Sequence, residues 1–317
     1  MSDDLPPVTV VIAARPGQAD VLAVTASQTL DYPREKLEII VARGTQPAVQ
    51  RNAATQAAHG EWIYFLDDDS LPRPDNLRRA IEHLNRADVQ MLGGPNLCPP
   101  EAPPLEQAFA LVLGSWVAFG PSRARYTPVG KPRETSEKEL ILCNLMVRRS
   151  EMLEIGGFDE ALYPNEENAL MDELQERGGK LLYDPDFAVY RRPRHSLAAF
   201  VKMLMNYGRG RAEQFRLHPT PGSALNFVPP LFCVYLVVAA LLRGWLLWPL
   251  AAYLAVVLVQ TLALSRKSVG SFLRVVPLIV LTHIFYGLGF WRGSFTSLKA
   301  APDKARPVVT LQTIQAL

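Results

Sequence analysis

The sequence predicts an α/β domain with a largely parallel sheet, then an amphipathic helix, then a membrane domain of two to three transmembrane helices. Three observations carry this. Short apolar runs alternate with helical stretches through roughly the first 190 of 317 residues, the pattern of βαβ units. The charge is split: 8 of the 33 basic residues but only one acidic residue, Asp303, fall after residue 224, so a net −5 front precedes a net +7 back. Finally, three long uncharged stretches crowd the last third. The expected boundaries are 1–194 for the α/β domain, 195–224 for the interfacial segment, and 225–317 for the membrane domain and tail.

Composition excludes several classes. With 49% hydrophobic residues and a net charge of +2, disorder is excluded. Cys98, Cys143 and Cys233 have no zinc-site or redox spacing, so reduced thiols are expected. The basic residues of the back half sit among membrane-like segments, which argues against a nucleic-acid partner.

The elements follow in order. Residues 8–14, VTVVIAA, form a strand-length run stopped by Arg15-Pro16-Gly17. Residues 20–30 suit a helix, 37–42 a strand, 47–59 a helix ended at Gly60, and 61–66 a strand running into Asp67-Asp68-Asp69. A helix over 75–86 and a strand over 89–93 continue the series. Residues 105–119 form an apolar stretch, 121–138 a polar, basic loop, and 140–147 another strand. Gly156-Gly157-Phe158-Asp159 marks a turn, 168–177 a helix, and 180–183 a further strand. Residues 196–217 place Leu197, Phe200, Val201, Leu204 and Met205 among Lys202, Arg209, Arg211 and Arg216, an amphipathic pattern that suits a membrane surface or a docked helix.

The uncharged stretches cover residues 219–242, 244–265 and 275–291, which are 24, 22 and 17 residues long. About 17–25 residues cross a bilayer as a helix. Trp245, Trp248 and Tyr253 suit the membrane interface. The opening Met1-Ser2-Asp3-Asp4 is no signal peptide, so the front domain is expected in the cytoplasm, with the chain a multi-pass protein of the cell (inner) membrane. Arg266, Lys267 and Arg274 then return to the cytoplasmic side. If the third stretch spans, the basic tail (Arg292, Lys299, Lys304, Arg306) lies outside, against the positive-inside rule. A tilted or re-entrant third segment resolves that conflict, and both paths stay open.

Three adjacent carboxylates at the end of an apolar strand repel one another. A divalent cation removes that cost, and hard oxygen ligands suit Mn²⁺ or Mg²⁺ bridging to substrate phosphates.

The ordered set of motifs resembles an inverting glycosyltransferase of family 2, with the GT-A (Rossmann-like) fold, over roughly residues 8–217. Asp67-Asp68-Asp69 resembles its DxD motif, Arg51-Asn52 its RN pair, Gly156-Gly157-Phe158-Asp159-Glu160 its GGFDE segment, and Glu166-Glu167 its acidic pair ahead of a helix. The resemblance implies a nucleotide diphosphate sugar donor, with Asp69 and Asp67 holding the metal on its diphosphate. It implies a catalytic base on Glu167, with Glu166 the fallback. Ala13, Arg15, Arg43, Arg51, Asp67 and Asp68 are the expected nucleotide-sugar contacts. Trp116, Arg209 and Arg211 are the expected acceptor contacts, the two arginines gripping a diphosphate at headgroup level.

Two departures bear on specificity. The second strand ends Val41-Ala42-Arg43-Gly44, without the acidic residue that usually contacts the base. The QxxRW motif of processive synthases is absent, and Tyr207-Gly208-Arg209-Gly210-Arg211 stands in that region. Transfer of a single sugar is therefore expected, and the membrane segments point to a lipid-linked, polyprenyl-type acceptor in surface polysaccharide or glycoconjugate assembly, with membrane lipids as surroundings. The alternatives are a polyprenyl-phosphate sugar synthase, whose ionised acceptor needs no base, and a non-catalytic membrane scaffold that keeps the fold.

Overall fold

The computed structural model describes residues 5–85, 88–162, 165–217, 219, 221–265, 268–297 and 307–317. The expected helix end at Arg86 lies outside these residues, as do Met1 to Asp4 and the basic side chains of Arg266, Lys267, Lys299, Lys304 and Arg306.

Three neighbouring strands of the main sheet come first in the chain: β1 (Val8–Ala14), β2 (Leu37–Arg43) and β3 (Trp62–Asp67). β1 pairs in parallel with both others. Their continuous apolar runs reflect burial on both faces, the signature of parallel sheet strands. α1 (Leu22–Gln28) and α3 (Asn76–Leu84) cover one face, α2 (Pro47–Ala57) the other. Two-residue strands β4 (Leu71–Pro72), β6 (Asn96–Leu97) and β10 (Val189–Tyr190) make a small second sheet in the order β4-β10-β6.

The main sheet also contains β5 (Val89–Gly93), β7 (Arg133–Thr135), β8 (Asn144–Arg148), β9 (Lys180–Tyr183) and β11 (Thr310–Gln315), in the order β11-β2-β1-β3-β8-β5-β9-β7. This corrects the parallel expectation. β8 inserts antiparallel between β3 and β5, and an apolar run gives no sign of strand direction. β7 lies within the stretch expected to be a loop and adds an antiparallel edge. α6 (Arg149–Ile155) follows β8, and α7 (Glu166–Glu176) begins two residues before the expected helix, so both glutamates lie in its first turn.

A third apolar cluster lies apart from the sheet. α4 (Pro104–Leu113), α5 (Trp116–Phe119), α8 (Leu197–Leu217), α10 (Leu247–Leu264) and α11 (Val269–Phe295) share it, while α9 (Val228–Leu242) packs on α11. Phe109 of α4 stacks on Phe200 of α8, ring centroids 4.2 Å apart and planes within 7°. The residue groups 224–242, 244–264 and 269–295 are long and apolar enough to cross a membrane. The third is one continuous helix with Pro277 inside it.

α8 and α11 approach closely through small residues. A Cβ on Gly208 would lie 2.0 Å from the Tyr286 carbonyl oxygen, and one on Gly289 2.2 Å from that of Met205. Only glycine permits that backbone contact.

Candidate active site

The carboxyl ends of β1, β2 and β3 converge where open α/β sheets bind ligands. Asp67 closes β3, opposite Ala13 of β1 in register. Arg51, buried on α2, donates through Nη2 to Asp67 Oδ1 at 2.9 Å and faces Glu166 Oε1 through Nη1 at 3.4 Å. One guanidinium thus joins the triplet to the acidic pair, although Arg51 and Glu166 are 115 residues apart in sequence. Asn52, next along α2, grips the glycine turn: its side chain donates to the Phe158 carbonyl at 2.9 Å and accepts from the Phe158 N–H at 2.8 Å. Gly157 has φ +84°, and a Cβ there would sit 2.4 Å from Asn52 Oδ1. The Arg51-Asn52 pair and the double-glycine turn are therefore one assembly.

Arg191, just after β10, was not singled out by the sequence. Its Nη1 lies 3.0 Å from Asp67 Oδ2, and its Nε pairs with Asp69 Oδ1. Burial pushes the Asp67 carboxyl up, but the Arg191 and Arg51 guanidiniums outweigh it and hold its pKa below the usual range. Asp69 goes the other way: burial raises it more than Arg191 lowers it. The signal for Arg191 in the sequence was only the basic run Tyr190-Arg191-Arg192-Pro193-Arg194.

Asp68 turns away from its neighbours. Gln18 donates to its Oδ2 at 2.6 Å, and Gln18 Oε1 accepts from the Arg15 N–H at 3.2 Å. Arg43 Nη1 donates to the Gln18 carbonyl at 2.7 Å and reaches the Arg15 carbonyl at 3.4 Å. Arg43 and Asp68 therefore brace the loop after β1, with Gln18 between them. Gln18 is a second residue that sequence reasoning missed.

The two glutamates face different surroundings. Asn165, with φ +137°, turns the chain into α7. Glu166 is 3% exposed and accepts from the Asn165 N–H at 3.1 Å. Burial first, then the neighbouring Glu167 charge, raises its pKa to about 7 against the opposing pull of Arg51. Glu167 lines a cavity of about 290 Å³ between the sheet domain and α8, α9 and α11. Trp116, Arg125, Tyr207 and Arg211 also line it. Arg125 and Arg211 converge on Asn168 Oδ1, at 2.7 and 3.3 Å. Asn165 lines the same cavity, and among the described residues its buried Nδ2 has no hydrogen-bond partner. Arg209 is elsewhere: its Nε lies 3.5 Å from Glu213 one turn along α8, and its backbone abuts Gly293. Arg125, in the stretch expected to be a loop, lies beside Arg211 on Asn168.

Among the described residues, no group of three or more His, Cys, Asp and Glu side chains gathers as a ready metal site. Asp67 and Asp69 nonetheless share one cation, the Arg191 guanidinium.

Residues 2–206 match the family described as "Glycosyltransferase like family 2". The chain is 28% identical over 258 residues to the succinoglycan biosynthesis protein ExoA of Rhizobium meliloti (strain 1021), covering 77% of this chain and 73% of that protein. It is 25% identical over 173 residues to a pre-mycofactocin glycosyltransferase of Mycobacterium tuberculosis, covering 55% of this chain and 36% of that protein. Among the curated relatives, the matched part ranges from 17% to 73% of the relative's own length. In fold, the chain is similar to the mannosyltransferase PcManGT of Pyrobaculum calidifontis, solved with GDP-Man and Mn²⁺: TM-score 0.55, 17% identity, 87% of this chain and 86% of that one.

Proposed function

The chain belongs to the glycosyltransferase-like family 2, and we propose that it moves a single sugar, with inversion, from a nucleotide diphosphate sugar to a lipid-linked acceptor at a membrane. The observation that carries this is the placement of Glu167. It lines a cavity closed by the helices α8, α9 and α11, while its neighbour Glu166 is tied through Arg51 to the Asp67 carboxylate. The two halves of the site are thus linked by one buried arginine.

The donor set fits a divalent cation. Asp67 and Asp69 supply hard oxygens around a shared positive group, and Mn²⁺ or Mg²⁺ commonly takes one or two carboxylates plus substrate phosphates. When bound there, the ion offsets the negative charge that builds on the departing diphosphate. Asp67 stays ionised for that role because Arg51 and Arg191 face it. The loop braced by Gln18, Arg43 and Asp68 borders the nucleotide. Glu167 accepts the proton of the acceptor hydroxyl as its oxygen attacks the anomeric carbon from the face opposite the diphosphate. Arg51 and the Asn165 N–H fix Glu166, which leaves Glu167 as the glutamate facing the acceptor. Arg125 and Arg211 suit an acceptor phosphate, and Trp116 offers an apolar wall.

The convergence of Arg125 and Arg211 also favours a second reading, in which the acceptor is itself a polyprenyl phosphate. A surface polysaccharide role is in keeping with the ExoA relative. A catalytic domain on the cytoplasmic face of the cell membrane agrees with the charge pattern of the chain.

Donor identity is tested by thermal shift of the purified full chain with UDP-, GDP- and dTDP-sugars in Mn²⁺ or Mg²⁺. A ligand at 100 times its Kd stabilises the folded state by about 2.7 kcal/mol. One nucleotide class is expected to shift the transition in a metal-dependent way. No shift with any of them supports the scaffold alternative.

A further inference from the structure

Three helices are apolar enough to cross a bilayer, yet the chain returns to where it started. β11 pairs antiparallel with β2 at the outer edge of the main sheet, from Thr310 opposite Arg43 to Gln315 opposite Ile39. The Gln315 side chain donates to the Arg34 and Leu37 carbonyls at 2.9 and 2.7 Å. The tail is therefore on the same side of any membrane as the catalytic domain. Between α11 and β11 the sequence carries Lys299, Asp303, Lys304 and Arg306. Four charged side chains in so short a stretch are costly in hydrocarbon.

We propose that α11 lies in the membrane surface beside α8, that only α9 and α10 enter the bilayer core, and that the tail ends on the catalytic side. A spanning helix meets a soluble domain at one end. α11 meets the catalytic domain and α8 from Val275 to Gly293. Val275 and Ile279, near its start, share the apolar cluster with Phe109 and Phe200. At its middle, His283 Nε2 lies 2.9 Å from the Val117 carbonyl oxygen of α5. Towards its end, Gly289 abuts Met205 and Gly293 abuts Arg209, and Arg216 donates to the Gly293 and Thr296 carbonyls at 3.0 and 2.5 Å. The contacts advance together along both helices, so α8 and α11 run parallel. Of the basic residues of α8, Lys202 and Arg216 are exposed, a pair suited to anionic headgroups and not to hydrocarbon.

The contrast with α9 and α10 supports the same division. In α11, 28% of the apolar window is buried inside the protein, against 11% in each of the other two. The tip joining α9 to α10 leaves Leu241, Leu242, Trp245 and Trp248 at least 70% exposed. This arrangement keeps the basic tail inside, in accord with the positive-inside rule. It also sets the Glu167 cavity, bounded by α8, α9 and α11, at headgroup depth, where a lipid carries its polar head.

The test uses the full chain and needs no turnover, so its failure is separate from any failure of the transferase reading. Green fluorescent protein or alkaline phosphatase is fused before Met1 or after Leu317. Fluorescent protein at both ends is expected to glow, and phosphatase at both ends to be inactive. An active phosphatase at the C-terminal end beside a fluorescent N-terminal end overturns the proposal. Depth is read separately by spin labels on Leu273→Cys and Leu288→Cys, both well exposed on α11, in a Cys98→Ser/Cys233→Ser background. The two positions are 15 residues apart, which is ~22 Å along a helix axis. Depths equal within about 5 Å are expected for a helix lying in the surface. A difference near the full ~22 Å marks a spanning helix and overturns the proposal.

Discussion

Arg191→Gln is expected to tighten binding of the metal ion in the absence of nucleotide. Arg191 pairs with both Asp67 and Asp69, so a divalent cation on those carboxylates has to displace it. Hydrogen bonds to charged groups contribute about 1.5–3 kcal/mol when buried, and exposed ion pairs about 0–1 kcal/mol. The Arg191 side chain is 22% exposed and that of Asp69 42%. Solvent screening therefore brings each contact to about 1 kcal/mol, or about 2 kcal/mol together. At about 1.4 kcal/mol per tenfold change, that is roughly a 30-fold lower Kd for Mn²⁺. Mn²⁺ is titrated into the full chain without nucleotide, and the free aqua ion is followed by electron paramagnetic resonance. Unchanged or weaker binding in Arg191→Gln refutes the reasoning, because it shows that the guanidinium does not compete for the carboxylates.

The other predictions concern the supports of the site. In metal-free buffer, Glu166 has a folded pKa of about 7, raised from 4.5; its stabilising contribution is full below pH 4.5 and lost as pH rises through 7. The melting temperature of Glu166→Gln should therefore gain on that of the parent between pH 5 and pH 8, and a constant difference contradicts the assignment. Asn52→Ala removes both hydrogen bonds to Phe158 and leaves a buried N–H and C=O unpaired, a loss of about 2–3 kcal/mol in chemical denaturation; a loss under 0.5 kcal/mol would show that the turn holds itself. Phe109→Ala takes away a ring stacked on Phe200 and should cost about 3–5 kcal/mol, read as reduced thermal stability in detergent. An unchanged melting curve would place the third apolar cluster outside the cooperative fold.

What the sequence made legible follows from what each feature depends on. β1, β2 and β3 stood out because burial on both faces demands continuous apolar runs. The Arg51-Asn52 and Gly156-Gly157 motifs were visible as residues, but their mutual contact was not, since Asn52 and Phe158 are 106 residues apart. β8 was visible as a strand and invisible in direction. Arg191 and Arg125 escaped because each acts across the fold, 122 and 43 residues from its partner, and a lone arginine in a polar stretch has no local pattern. β11 escaped because the alternation in TLQTIQ spans only six residues beyond the membrane stretches. Its partner is the edge of a sheet that begins the chain.

The most direct measurement follows transfer of a labelled sugar from the donor class found by thermal shift into organic-extractable lipid, for the parent and Glu167→Gln at saturating donor. A base in the acceptor cavity predicts at least about a 100-fold loss of turnover with the donor-induced thermal shift unchanged. Turnover in Glu167→Gln within about threefold of the parent would contradict the assignment, since general-base catalysis supplies at least about 100-fold, and would move the acceptor from a hydroxyl to an already ionised phosphate.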